Sequence, residues 1–203
     1  MITKEKIEKA KKHFQKTDPV LWELSKKINL APRESDGNYF MDLVESIVSQ
    51  QLSVKAADTI WKRFVALLPN HEVDPTLVLD LPDGKIREAG ISWQKISYIK
   101  DLAKKTIESG ILFEQFGIMT DEEIIEELVK VKGIGRWTAE MFLMFSMERQ
   151  DVFSYGDLGL RRAMEKVYNL RKEPSEKTAL RISNKWKPYR TIGSRYLWKS
   201  LEM

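Results

Sequence analysis

Apolar residues recur at intervals of three and four along almost the whole chain, which commits it to helices that each bury one face. From Tyr39 to Leu52, the residues Phe40, Leu43, Val44, Ile47, Val48 and Leu52 fall on one stripe. Ser53 then stands as an N-cap, its hydroxyl oxygen accepting from the first free amides of a second helix. That helix turns Ala56, Ala57, Ile60, Trp61, Phe64, Val65 and Leu68 inward and stops at Pro69, because proline has no amide to donate. Trp93 to Glu108 predicts another helix through Ile96, Ile99, Leu102, Ala103 and Ile107, closed by Gly110, and Asp121 is the expected cap of the next. The segments 30–38 and 69–82 carry the proline, glycine, asparagine and aspartate of loops, although Thr76 to Leu81 fits a short helix. An all-α chain follows, with a central helical lobe at 39–150 and a second lobe built from 1–38 together with 151–203. Two lobes imply a cleft.

Composition removes several classes of function. With 203 residues and 42% hydrophobic content the chain can bury a core without disulfides or a structural metal. Zero cysteines exclude thiolate zinc sites, a cysteine nucleophile and a cysteine-ligated iron–sulfur cluster. The apolar run Met141 to Phe145 is five residues long and none is longer, against the roughly 20 that span a bilayer. The charged start, MITKEKIEKAKKHF, has no apolar segment of the kind a secretory signal needs, so no export and no membrane partner are expected. Net charge is a modest +4, yet 177–199 holds seven basic residues and no acidic one, interleaved with Trp186, Tyr189, Tyr196 and Trp198. Such a stretch suits nucleic acid, with cations on phosphate and rings on bases; it equally suits an amphipathic helix with a solvated basic face. His13 and His71 stand alone in charged or loop surroundings and are expected to be solvated rather than metal ligands.

The segment Leu128 to Leu143, LVKVKGIGRWTAEMFL, carries the most chemistry. A dinucleotide fingerprint would need a preceding strand and a third glycine where Thr138 stands, whereas Ile124, Ile125, Leu128, Val129 and Val131 have helical spacing. A helix-hairpin-helix remains: two helices joined by Gly133-Ile134-Gly135, with Ile134 anchoring the turn and Ala139 allowing the helices to approach. Glycines admit a phosphate close to the backbone, and the positive end of the second helix faces it, so the surface binds phosphate without reading bases. Lys132 and Arg136 flank the turn and add charge; a glycine-capped corner with no ligand is the plainer alternative.

Five blocks carry a wider likeness: SIVSQQLSVKAADTIWKRF (46–64), AGISWQKISYIKDLAKKTIESG (89–110), LVKVKGIGRWTAEMFLMF (128–145), DVFSYGDLGLRRA (151–163) and WKPYRTIGSRYLW (186–198). In this order they resemble the helix-hairpin-helix (HhH-GPD) DNA glycosylases, in particular the 3-methyladenine DNA glycosylase II (AlkA-like) branch. The resemblance implies a two-lobed all-α fold with the active site in the cleft between the lobes. It makes Asp157, 22 residues past Gly135, the catalytic carboxylate, although aspartate just before the helix at 160–167 is also a favoured N-cap. It implies a base pocket of Trp137, Trp198 and Met141, the last replacing an aromatic of some relatives, and indole faces suit a base made cationic by alkylation. Core packing is the alternative for each tryptophan, and is the reading adopted for Trp22 and Trp61.

By the same resemblance, Lys132, Gly133, Ile134, Gly135, Arg136 and Thr138 contact DNA, and Gln51, followed by Leu52, fills the gap left by the extruded nucleotide. Members that also nick the strand have a lysine where Trp137 stands, so no lyase step is expected. The β-rich domain of larger bacterial members is expected to be absent, since about 38 residues precede the first matching helix. The implied protein is a monomer without metal or organic cofactor, apart from a monovalent cation at the hairpin. Its implied partner is double-stranded DNA containing damaged bases, in the bacterial cytoplasm at the nucleoid or in a eukaryotic nucleus.

The function implied is a monofunctional glycosylase excising 3-methyladenine and 7-methylguanine by base flipping and hydrolysis, within base excision repair. Two alternatives stay open at the level of sequence: a glycosylase for oxidised, deaminated or mismatched bases, and a non-catalytic helix-hairpin-helix module that binds damage.

Overall fold

The computed structural model describes residues 2–32, 35, 37–108 and 110–203. Every regular element among them is a helix: α1 (Lys4–Thr17), α2 (Pro19–Lys27), α3 (Tyr39–Ser49), α4 (Val54–Val65), α5 (Pro75–Asp80), α6 (Asp83–Glu88), α7 (Trp93–Ile107), α8 (Asp121–Leu128), α9 (Arg136–Phe145), α10 (Leu158–Val167), α11 (Glu176–Ser183) and α12 (Arg190–Ser200), with short 3-10 turns between some of them. Among the described residues no helix is long and apolar enough to cross a membrane.

The chain divides into two compact units, one of residues 1–36 and 143–203, the other of 37–142. The second boundary falls inside α9 rather than at 150: its last turn goes with the first unit, where Phe145 lies against Trp198 with ring centroids 5.7 Å apart. Of the boundary loop 30–38, residues 33, 34 and 36 lie outside the described residues.

In the 37–142 unit, α7 is the element the others gather on, with α3, α5 and α6 all packed against it. Its buried stripe, Ile96, Ile99, Leu102 and Ala103, is the face its spacing predicts. Phe40, Leu43, Val44, Ile47 and Val48 of α3 are buried as the spacing predicts, but the helix stops at Ser49 instead of running to Leu52. The cause is local, because Gln51 takes a φ of 58°, which no right-handed helix accommodates. Ser53 caps α4, accepting from the Ala56 amide, but only Phe64 of that helix is buried outright; Trp61 stacks on Phe64 and is half-exposed. The N-cap of α8 is Thr120, not Asp121. Its hydroxyl accepts from the Glu123 amide at 3.3 Å while the Glu123 carboxylate accepts from the Thr120 amide at 2.7 Å, a reciprocal pair that outcompetes a lone aspartate.

The other unit joins chain segments far apart in sequence. Phe14, Leu21, Leu160, Met164, Ile182, Trp186, Ile192, Tyr196 and Leu197 share one core, with Trp22 partly buried against it. Asp18 pins it: 2% exposed, it caps α2 through the Leu21 amide and accepts from Tyr168 Oη (2.8 Å) and Trp186 Nε1 (3.0 Å). Burial, then the Asp18 charge, pushes the Tyr168 phenol well above its ordinary range, so it stays a donor. Two expectations change here. Trp186 and Tyr196 are core residues and cannot stack on bases. His13 is not simply solvated: its Nε2 meets the Lys185 carbonyl at 2.9 Å and its ring lies edge-on to Tyr189.

Candidate active site and nucleic-acid interface

Asp157 occupies the N-cap of α10, where its Oδ1 accepts from the Leu160 amide at 2.6 Å and from Trp198 Nε1 at 2.9 Å. Both expectations for this residue, cap and site carboxylate, therefore refer to one geometry. The segment leading to it is tied down along its length. Arg190 grips Asp151 through Nε (2.8 Å) and Nη2 (3.1 Å), Thr191 Oγ1 donates to the Arg149 carbonyl (2.6 Å), and Arg161 Nη1 donates to the Tyr155 and Gly156 carbonyls (3.0 and 3.1 Å). Gly159 leaves room for the indole: a Cβ there would lie 3.1 Å from Asp157 Oδ1 and 3.4 Å from Trp198 Nε1. A carboxylate so fixed, at the positive end of a helix, can face a developing cation without rearranging. Trp198 is thus half-buried with its edge on Asp157 and one face toward Phe145, a role that stacking arguments alone do not suggest.

In the 37–142 unit the hairpin has the expected form. Ile134 and Ala139 are buried, and α9 starts at Arg136, so the helix's positive end faces the turn. Gly133 has a φ of 80°, and a Cβ on it would fall 2.0 Å from the Tyr98 ring; Gly135 has no atom within 4 Å of such a position. Only the first glycine is demanded by the fold, and the second faces open space. Trp137 is 46% exposed, and Met141, four residues on, shares its face of α9 in a half-buried position. Thr138 is buried, which leaves its side chain to packing rather than to DNA.

The charges flanking the hairpin differ from one another. Lys132 is exposed, while its amide donates to Asp101 Oδ2 at 2.9 Å. Burial would raise the Asp101 pKa, but hydrogen bonds from Lys105 and the Lys132 amide outweigh it and hold the group below its ordinary value. The Arg136 guanidinium is engaged by Glu122 (2.6 and 2.7 Å) and by Glu140 (3.1 Å), and the Glu122 hydrogen bonds foremost raise its pKa. It braces α9 against α8, so Glu122 and Glu140 compete with any phosphate for the guanidinium.

Gln50 and Gln51 take opposite roles. Gln50 φ and ψ (−49°, 131°), the positive φ of Gln51 and the Leu52 N to Ser49 O hydrogen bond (3.2 Å) make a turn of type II form. Gln50 is drawn in, its Nε2 donating to the Gly133 carbonyl at 3.0 Å, whereas Gln51 and Leu52 are exposed at the turn's tip. Sequence reading did not find Lys95, whose Nζ donates to the Val48 (2.8 Å) and Gln50 (2.7 Å) carbonyls, nor the link from Gln50 to the hairpin. In the basic C-terminal stretch, Arg190 and Lys199 pair with Asp151 and Glu202, and Arg195 donates to the Ala31 carbonyl, while Lys177, Arg181, Lys185 and Lys187 are exposed. Among the described residues, no group of three or more histidine, aspartate or glutamate side chains is placed to hold a metal ion.

Comparison with known proteins agrees with this layout. The profile of the HhH-GPD superfamily base excision DNA repair proteins matches residues 44–188. DNA-3-methyladenine glycosylase 1 of Schizosaccharomyces pombe is 36% identical over 167 residues, covering 81% of this chain and 73% of that protein. DNA-3-methyladenine glycosylase of Saccharomyces cerevisiae is 35% identical over 213 residues, covering 96% and 71%. The solved structure of the Schizosaccharomyces pombe 3-methyladenine DNA glycosylase (Mag1) in complex with abasic DNA superposes with a TM-score of 0.86 at 34% identity, covering 96% of this chain and 97% of that one. With its all-α architecture, its glycine hairpin and its helix-capping aspartate in the matching order, the chain belongs to the HhH-GPD superfamily of base excision DNA repair proteins.

Proposed function

We propose that this protein is a monofunctional DNA glycosylase that removes alkylated purines, 3-methyladenine and 7-methylguanine foremost, from duplex DNA and leaves an unbroken abasic site. The observation that carries the reading is the Asp157 carboxylate, fixed by the Leu160 amide and the Trp198 indole in a chain whose relatives at 36% and 35% identity are named DNA-3-methyladenine glycosylases. The hairpin backbone at Lys132, Gly133, Gly135 and Arg136 holds phosphate, with Ile134 and Thr138 packing beneath, and the exposed Lys132 adds charge. Gln51, backed by Leu52, enters the stack as the damaged nucleotide leaves it. Trp137, Met141 and Trp198 receive the base.

An alkylated purine is cationic and already a good leaving group. As the bond from C1′ to the base nitrogen breaks, its electron pair leaves with the base. Asp157 faces the positive charge left on the sugar, water adds to C1′, and the water's proton passes to solvent. No organic cofactor enters this chemistry; a monovalent cation held by hairpin carbonyls would assist phosphate binding alone. Trp137 stands where a strand-nicking member would carry its attacking amine, so no Schiff base forms. The enzyme works as a monomer on damaged duplex, at the nucleoid of a bacterium or in the nucleus of a eukaryote.

The test is release of free base from duplexes carrying 3-methyladenine, 7-methylguanine, hypoxanthine, 8-oxoguanine or uracil, with borohydride trapping in parallel. The expected outcome is fast release of the two methylated purines, no trapped complex, and loss of on the order of 10² or more in rate for Asp157→Asn. Faster release of 8-oxoguanine than of 7-methylguanine refutes the alkylpurine reading; a borohydride-trapped complex refutes the monofunctional one.

A further inference from the structure

α7 behaves as a strut that reaches out on several sides. Three of its lysines, five residues apart, each place an ammonium on the carbonyl end of a different element. Lys95 donates to Val48 and Gln50 at the end of α3, and Lys100 to Leu79 (2.6 Å) and Leu81 (2.5 Å) at the end of α5. Lys105 donates to Lys130 (2.7 Å) just past α8. Cations on exposed helix carbonyls satisfy acceptors that the helix leaves open, and they oppose the negative end of its dipole. The first of these contacts bears on residues placed above in DNA binding. Lys95 holds the peptide that immediately precedes Gln51, and the same residue whose carbonyl it holds, Gln50, reaches through its side chain to Gly133. Beneath Gly133 lies Tyr98, and Asp101 takes the Lys132 amide, so α7 touches both the turn and the hairpin.

This geometry has a mechanical consequence. A side chain driven into a base stack is pushed back by the stack, and it extrudes a nucleotide only if its own backbone does not yield. Gln51 sits in a left-handed conformation at the tip of a two-residue turn, which for a non-glycine residue persists only when neighbours hold it. Here the neighbours are Lys95, which fixes the orientation of the Gln50 carbonyl, and the hairpin, which anchors the Gln50 side chain. Burial lowers the Lys95 pKa, as expected of an ammonium withdrawn from water.

Resting on the glycosylase reading, we propose that Lys95 and Gln50 are positioning residues for nucleotide extrusion: together they tie the turn that presents Gln51 to the phosphate-binding hairpin, so that grip on the backbone and pressure on the stack are delivered by one rigid piece.

The experiment compares Lys95→Met, Lys95→Arg, Gln50→Ala and, as a capping control away from the turn, Lys100→Met. Single-turnover release of 7-methylguanine is measured from a fully paired duplex and from the same strand left single, where no stack resists. Fluorescence of 2-aminopurine beside the lesion reports unstacking independently of bond cleavage. Lys95→Met should lower the paired-duplex rate on the order of tenfold and the single-strand rate by less than about threefold, with a matching loss of the fluorescence rise. Gln50→Ala should act in the same direction, and it gives the comparison if Lys95→Met fails to fold. Lys95→Arg, which can donate to both carbonyls, should restore most of the difference. Lys100→Met should lower the melting temperature while leaving the paired-to-single ratio at the parent value. A ratio for Lys95→Met equal to that of the parent or of Lys100→Met, with an unchanged fluorescence rise, overturns the proposal. Failure of the parent protein to release 7-methylguanine from either substrate would refute the glycosylase reading instead, and the fluorescence arm would still judge the positioning role.

Discussion

The two glycines of the hairpin should separate folding from binding. In Gly133→Ala, the new Cβ would fall 2.0 Å from Tyr98 Cδ2 and 2.5 Å from two further ring atoms, so the ring or the turn must move. The residue would also have to hold a φ of 80° with a side chain, at a cost of about 1–2 kcal/mol. Overpacking a filled site adds roughly 1–3 kcal/mol, for a total of about 2–5 kcal/mol. In a chain of this size each kcal/mol moves the melting midpoint by about 2–4 °C, so a fall on the order of 10 °C is expected. Gly135→Ala meets nothing within 4 Å and has no positive φ, so its melting point should move by less than about 2 °C. Its methyl group instead occupies the space where a phosphate must come close, and affinity for any duplex, damaged or not, should fall roughly tenfold. Differential scanning fluorimetry and anisotropy titrations on an undamaged duplex, at two salt concentrations, read both quantities. If Gly135→Ala melts as low as Gly133→Ala, or Gly133→Ala melts with the parent, the packing argument is wrong. If Gly135→Ala binds undamaged duplex like the parent, the hairpin is not the phosphate site.

Trp198→Phe keeps an aromatic face but removes the Nε1 donor to Asp157, so single-turnover base release should fall by about tenfold or more if that hydrogen bond orients the carboxylate, while a parent-like rate would leave stacking as its only role. Asp18→Ala strands the Tyr168 hydroxyl and Trp186 indole as buried donors without their acceptor and should cost about 3–5 kcal/mol in denaturant unfolding; a loss below about 1 kcal/mol would show that this carboxylate does not pin the core. Arg136→Met should destabilise by about 1–2 kcal/mol through Glu122 and Glu140 yet leave the salt dependence of DNA binding unchanged, and a slope shallower by about one counterion would put the guanidinium on a phosphate after all.

Periodicity made α3 and α7 legible because each buries a face whose spacing is visible in about a dozen residues, whereas α4 was legible in its cap and position but buries only Phe64 outright. The hairpin was legible for the same local reason, a glycine pair between two helical stripes, and its buried Ile134 and Ala139 follow from it. Position 120 shows where local reading slips: threonine and aspartate are both good caps, and the deciding signal was the Glu123 three residues beyond Thr120. The basic aromatic stretch could not be resolved without the fold, since nothing in 177–199 alone says that Trp186 and Tyr196 face inward. Lys95, Lys100 and Lys105 read as three more solvated charges until the carbonyls they hold, 19 to 47 residues away, are in view. For Trp198 the sequence pointed to a base pocket, but its hydrogen bond to Asp157 spans 41 residues and is a tertiary fact.

The core pinned by Asp18 has an order-of-assembly consequence. Its bonds to Tyr168 and Trp186 close loops of 150 and 168 residues, and the apolar faces of α1 and α2 have their partners in α10 and α12. Residues 37–142, by contrast, are one unbroken stretch. On a ribosome making roughly 5–20 residues per second, the first two helices must therefore wait for many seconds with their apolar stripes uncovered, while the stretch that bears the hairpin is complete long before the one that fixes Asp157. A chain cut short before α12 would carry the hairpin proposed to hold phosphate without the indole that donates to Asp157. Loss of the last helix should therefore turn the protein from a catalyst into a competitor for its own substrate.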